Sequence, residues 1–108
     1  MLDSAHQTSC KYDRNTSEFD VCGFNEQYIN DFPAPFVTKS NMRIGMKLLD
    51  LINIKQNNTI MVIGEVSVIH MKNEKMNKNF KNSIGVIGLN SYYGVNSIKT
   101  LNYCRLNK

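Results

Sequence analysis

Between Asn41 and Met71 the chain reads NMRIGMKLLDLINIKQNNTIMVIGEVSVIHM, two apolar, β-branched-rich runs with no proline in either. Lys55-Gln56-Asn57-Asn58 divides them. In the second run Ile60, Val62, Val66 and Val68 share one parity, whereas Glu65 and Ser67 take the other. A period of two is what a strand with one covered face requires, because successive side chains point to opposite sides. The first run alternates Met42, Ile44, Met46 and Leu48, then changes parity at Leu49 and Leu51. One extra residue in a strand has that effect, which predicts a β-bulge near Leu48-Leu49. An Asn-Asn pair accommodates positive φ and suits the tip of a hairpin. The pattern therefore predicts two long antiparallel strands over 42–54 and 59–71.

A lone hairpin is marginal in water, so other residues must cover it or pair with it. The chain has 108 residues, enough for one small domain and not for two. With 42% apolar residues and no tryptophan, the composition is that of a folded soluble domain, not a disordered segment. No apolar run approaches the ~20 residues that span a bilayer, so no membrane partner is expected. The opening MLDSAHQTSC lacks a basic stretch followed by an apolar one, and a secretory signal is not expected. Cys10, Cys22 and Cys104 are odd in number and lack paired metal-ligand spacing, so reduced thiols in a cytoplasmic protein are the simpler expectation. Much of the net charge of +4 comes from the C-terminal third, where Lys72, Lys75, Lys78 and Lys81 recur every three residues. Asparagine fills most of the positions between them, with Phe80 and no stacking platform. A solvated connection or short helix is expected there, and no nucleic-acid partner.

Taken in order, Leu2–Gln7 reads as the last turns of a helix, broken at Thr8-Ser9. Asn15-Thr16 offers an N-cap for a short helix over Ser17–Cys22, with Gly23 as its stop. Phe19 and Cys22 lie one turn apart and are expected to face the hairpin. Pro33 and Pro35 forbid a helix between Phe24 and Phe36, which reads as an extended crossing segment. SIGVIGLNSYYGVNS predicts a tight turn into a short strand, and Ser97–Tyr103 a final strand.

Catalytic signals are sparse. His6 and His70 are the two histidines, and no Ser-His-Asp order, paired-carboxylate spacing, metal-ligand set or phosphate-binding glycine loop can be assembled. Glu65 reads as solvent-facing and His70 as a structural histidine, with a buried acid and a catalytic imidazole as the alternatives. His6-Gln7-Thr8-Ser9 gathers hydrogen-bonding groups at a helix end, where they can cap the helix or meet a ligand.

Four segments carry a resemblance that runs over about residues 4–95. AHQTSCKYDRNTSEFDVCGF resembles a helix end and acidic-Glu-Phe element of the flavin reductase-like family of FMN-binding split barrels. APFVTKSNMRIGMKLLDLI is similar to that family's Pro-Pro-Arg segment and Lys-Leu-Leu strand. NNTIMVIGEVSVIHM resembles its Gly-Glu-Val strand ending in histidine, and SIGVIGLNSYYGV its closing glycine–tyrosine turn.

The resemblance implies a mainly β fold, a partial Greek-key split barrel with one or two short helices. It also implies that residues 1–108 are the C-terminal portion of a domain about twice as long, with Met1 falling inside a mid-domain helix. Members bind FMN at a homodimer interface and transfer electrons between NAD(P)H and flavin. Carried over, FMN contacts fall to His6, Gln7, Thr8 and Ser9 and to Gly88 and Tyr92. His70 takes the nicotinamide side. There are departures too: the family's arginine is Phe36, the closing motif's arginine is Val86 and its second glycine Leu89, and His6 replaces an asparagine. Three readings compete: an NAD(P)H-dependent flavin oxidoreductase completed by a missing N-terminal half, a truncated non-catalytic remnant or interaction module without FMN, and a basic nucleic-acid binder resting only on the lysines.

Overall fold

A computed structural model describes residues 1–106. The chain divides into two compact units, Met1–Lys72 and Asn73–Lys108.

The first unit is built on the expected hairpin. Strands β3 (Met42–Ile54) and β4 (Thr59–Met71) pair antiparallel from Met42↔Met71 to Ile54↔Thr59. Asn58 takes φ 56° at the tip, and the Asn57 side-chain oxygen accepts hydrogen bonds from the Thr59 amide and hydroxyl. The ladder is broken twice. Leu49 is the expected bulge, skipped between Leu48↔Gly64 and Asp50↔Ile63. Ser67 is a second one, skipped between Gly45↔Val68 and Met46↔Val66. Because the two bulges lie on opposite strands, the register returns to its starting value beyond them.

The Ser67 bulge divides the residues that share a parity. Val68 and His70 belong to one face with Arg43 and Gly45, whereas Val66 and Val62 go to the other with Met46, Leu48 and Leu51. On the first face sits a small hairpin of β1 (Glu26–Gln27) and β2 (Phe36–Val37), paired antiparallel. The segment expected to cross in extended form thus doubles back. Asn30 and Asp31, at φ 48° and 58°, reverse it, and short polar side chains are the ones that tolerate this conformation. Three contacts fix this layer. The Phe36 ring meets the His70 ring edge-on, with centroids 5.5 Å apart. The Arg43 Nη1 donates to Gln27 Oε1 at 2.6 Å. Phe32 lies against the backbone of Gly45, where an added Cβ would come within 2.8 Å of its ring.

Gly45 is therefore required by close approach. Gly45→Ala is expected to push aside both the Val68 side chain, which an added Cβ would meet at 2.5 Å, and Phe32, and to destabilise the unit by ~1–3 kcal/mol, as overpacking does. Phe32→Leu should recover part of that loss in the double variant, and simple additivity in urea denaturation would assign the cost to Val68 instead.

Helices α1 (Leu2–Gln7) and α2 (Glu18–Cys22) precede this layer. Gly23 ends α2 in the left-handed conformation at φ 71°, as expected. Its N-cap is Ser17 and not Asn15-Thr16, and no side chain closes that end. Cys22 does not turn with Phe19 to the hairpin: its sulfur lies 3.7 Å from the Tyr12 hydroxyl, while Phe19 lines a groove with α1 and β2. Cys22 and Phe36 are the only buried hydrophobic side chains among the described residues.

In the second unit, α3 (Met76–Phe80) precedes the hairpin β5 (Ile84–Ile87) and β6 (Ser91–Gly94). The helix takes Lys78 and leaves Lys72, Lys75 and Lys81 outside it, so the lysines do not share one helical stripe. The buried side chain there is Asn79, whose Oδ1 accepts the Asn73 amide at 3.0 Å and whose Nδ2 donates to the Asn73 carbonyl at 2.8 Å. Residues 97–106, which include the expected last strand, have no regular structure. An alternating sequence becomes a strand only when a neighbouring edge takes its backbone groups, and no strand pairs with this segment. No helix among the described residues is long and apolar enough to cross a membrane.

Candidate functional site

The His6–Ser9 cluster forms the C-terminal end of α1, and its hydroxyls are spent on the helix. Thr8 Oγ1 donates to the Ala5 carbonyl and Ser9 Oγ to the His6 carbonyl, both at 2.7 Å. Capping of orphaned carbonyls accounts for these two bonds. Thr8 also lines a groove of about 430 Å³ together with Met1, Ala5, Phe19, Phe24 and Ser40. Two phenylalanines and two hydroxyls make that groove suitable for one edge of an aromatic ring. It is a poor fit for a phosphate: no lysine or arginine lines it, Glu18 does, and the Thr8 proton is already committed.

Tyr12 ties this end together. Its hydroxyl lies 3.3 Å from the Gln7 carbonyl and 3.7 Å from the Cys22 sulfur, and can donate to either. The bond with Cys22, followed by desolvation, pushes the phenol up from 10.0 to about 12. A folded-state pKa above the unfolded one favours the fold while the phenol is protonated. That contribution is complete below about pH 10 and is lost as pH rises toward 12. Tyr12→Phe is expected to remove this alkaline component from the pH–stability profile. An unchanged profile would show that the hydroxyl does not couple to folding. Cys10, Cys22 and Cys104 are all free thiols.

His70 lies in a different cleft of the same unit. A cavity of about 390 Å³ opens between the Ile29–Pro33 turn and the covered face of the hairpin. Asn30, Asp31, Lys47, Ser67 and His70 give it a polar side, while Phe32 and Val68 give it an apolar one. Two nitrogens nearby lack partners: His70 Nε2 and Arg43 Nε are both buried without a hydrogen bond. His70 is therefore held by packing against Phe36 and not by a bond at Nε2. Arg43 belongs to no motif in the sequence; its register position opposite His70 follows once the pairing Met42↔Met71 is drawn. The cleft itself was signalled by Asn30-Asp31, which mark a reversal.

Gly88 and Tyr92 belong to the second unit. Gly88 opens the three-residue turn between Ile87 and Ser91 at φ 66°, a conformation suited to glycine. Leu89, which follows it, is 91% exposed and is not among the residues with positive φ. The loss of a second glycine there carries no backbone strain. Tyr92 is half-buried on β6, opposite Val86. No cluster of His, Cys, Asp or Glu among the described residues could hold a metal ion.

No family model matches the chain, and no curated protein does. A solved structure does match, that of a candidate flavin reductase with a split barrel domain from Shewanella frigidimarina. It is 30% identical, with a TM-score of 0.83 over 94% of this chain. The chain spans 55% of the length of that protein. The fold is accordingly mainly β and that of a split barrel not closed by these strands alone, as the sequence implied.

Proposed function

We propose that this chain is the C-terminal portion of a flavin reductase-like domain that takes part in NAD(P)H-dependent flavin oxidoreduction. The observation that carries the reading is the 30% identity and close superposition with the Shewanella frigidimarina protein over nearly the whole chain. In this reading FMN, which would supply the redox-active ring, is held by His6, Gln7, Thr8 and Ser9 and by Gly88 and Tyr92. The Phe19–Phe24 groove beside Thr8 can receive an apolar ring edge, whereas the phosphate needs donors from outside this groove. His70 serves the nicotinamide side from its own cleft, and its ring must turn for Nε2 to reach a ligand, since that atom is now enclosed. The working form is a cytoplasmic homodimer or an assembly with the missing N-terminal half.

A second reading has an observation of its own. Phe36, which stands where the resemblance implies an arginine, is 7% exposed and packs on Phe32 and His70. A core residue at that position suits an interaction module that no longer grips FMN. The two readings separate in a chimera in which residues 1–108 replace the matching region of the Shewanella frigidimarina protein. Quenching of FMN fluorescence and FMN reduction by NAD(P)H support the enzyme reading. A folded chimera that does neither supports the module.

A further inference from the structure

The hairpin's open face, which carries Val62, offers apolar side chains to solvent, Val62 being 66% exposed. Hydrogen-bonding and charged groups gather instead on the covered face, in the cleft beneath the Ile29–Pro33 turn. The turn brings Asn30 and Asp31 to it, held at φ 48° and 58°. β3 brings Lys47, and β4 brings Ser67. Phe32 and Val68, which follow Asp31 and Ser67 in the chain, supply the apolar wall.

Each polar group has a definite capacity. Ser67 is the extra residue of a bulge, a device that re-aims side chains beside sites. Its Oγ donates to the Gly45 carbonyl at 3.2 Å, so its lone pairs remain to accept. The Lys47 ammonium has three N–H donors, whereas the Asp31 carboxylate only accepts. Glu65, opposite Lys47 in the ladder, does not line the cleft. One carboxylate and one ammonium therefore face this space from different elements, the turn and the hairpin, and share an apolar wall.

That combination limits the occupant. A phosphate would meet Asp31 as a like charge, and a lone cation would meet Lys47 in the same way. A purely apolar molecule would strip water from both charges and return no hydrogen bond. A molecule that carries an ammonium and a carboxylate close together, with an apolar group attached, satisfies every wall. At about 390 Å³ the cleft lies within the range of small-molecule sites.

We infer that this cleft binds a free apolar α-amino acid. Its α-ammonium donates to the Asp31 carboxylate, with the Asn30 side-chain oxygen and Ser67 Oγ as further acceptors. Its α-carboxylate accepts from Lys47 Nζ, and its side chain lies along Phe32 and Val68. Charge-assisted hydrogen bonds at both ends make the two charges on the ligand jointly necessary. The inference goes beyond the flavin reading and stands without it, because neither flavin nor nicotinamide takes part. His70 lines the same cleft, so an amino acid seated there occupies space that a nicotinamide donor would use.

Titration calorimetry of residues 1–108 with L-phenylalanine tests this, with hydrocinnamate, which lacks the ammonium, and phenethylamine, which lacks the carboxylate, as comparisons. L-phenylalanine should bind at least tenfold more tightly than either. Asp31→Asn, which keeps a short polar side chain suited to positive φ, should weaken L-phenylalanine at least tenfold and leave hydrocinnamate unchanged. Lys47→Met should weaken L-phenylalanine as much and spare phenethylamine. Both positions are exposed, so the two variants should keep the circular dichroism of the parent chain. Equal affinity for L-phenylalanine and hydrocinnamate would leave Asp31 without a role and overturn the inference. Parental affinity in either variant overturns it as well, as does the absence of binding at millimolar L-phenylalanine in both the chain and the chimera. None of these results depends on FMN quenching by the chimera, so the flavin reading stands or falls separately.

Discussion

Replacing Phe36 with alanine is expected to cost the Met1–Lys72 unit ~3–5 kcal/mol, the usual range for truncating a buried aromatic residue. The reason lies in how little else is buried. Phe36 is 7% exposed and Cys22 4%, while the long hairpin keeps most of its aliphatic side chains half in water. Phe36 also joins two elements that have few other ties. Its ring is 5.2 Å from Phe32, which presses on Gly45, and 5.5 Å from His70 on β4. Without it the β1–β2 layer is held to the hairpin by the Arg43–Gln27 hydrogen bond and by Phe32 against Gly45, a contact that Phe36 itself supports. A net contribution of ~0.5–1.5 kcal/mol from such a bond does not make up the difference. Small domains have ~5–15 kcal/mol in all, so the variant should approach complete unfolding. Val62→Ala on the open face should change the urea midpoint little. Equal effects of the two substitutions would show that Phe36 is not the centre of this layer.

What was legible in the sequence follows from how local each signal is. The β3–β4 pairing could be read because its alternation and its Asn-Asn turn agree. The Leu49 bulge could be read because it shifts the apolar pattern. The Ser67 bulge could not: Val66 and Val68 keep the same parity whether or not the residue between them is paired. Only the partner strand shows that they part company, and with that shift His70 joins Val68 on the covered face. Tertiary contact likewise decided the β1–β2 hairpin. Pro33 and Pro35 excluded a helix, but the reversal at Asn30-Asp31 took its meaning from Phe32 and Phe36 returning to the hairpin. The last expected strand failed for the opposite reason, because Ser97–Tyr103 has a plausible pattern but pairs with no strand. Among the candidate site residues, the helix-end hydroxyls were found as a cluster. Their commitment to the Ala5 and His6 carbonyls depends on rotamers that composition does not reveal.

Those commitments lead to the largest expected functional effect, which is that residues 1–108 alone bind FMN far more weakly than the chimera does. A flavin phosphate is held by charge-assisted hydrogen bonds, each worth ~1.5–3 kcal/mol. At the α1 end this chain has two hydroxyl donors, and both already serve helix carbonyls. Redirecting either one leaves a carbonyl without its cap, so the net gain is smaller than that of a free donor. The position expected to supply a cation is Phe36, buried in the core, and Arg43 is engaged with Gln27. The absence of two such bonds corresponds to ~10²–10⁴-fold in affinity. The ring has better prospects in the Phe19–Phe24 groove, so riboflavin, which has no phosphate, is the informative comparison. With the chain alone, riboflavin and FMN should quench to a similar, slight extent; with the chimera, FMN should bind more tightly by the factor above. Tight, phosphate-dependent binding of FMN by residues 1–108 alone would show that the helix-end donors give up their caps readily. That result would place the cofactor's whole grip within this chain.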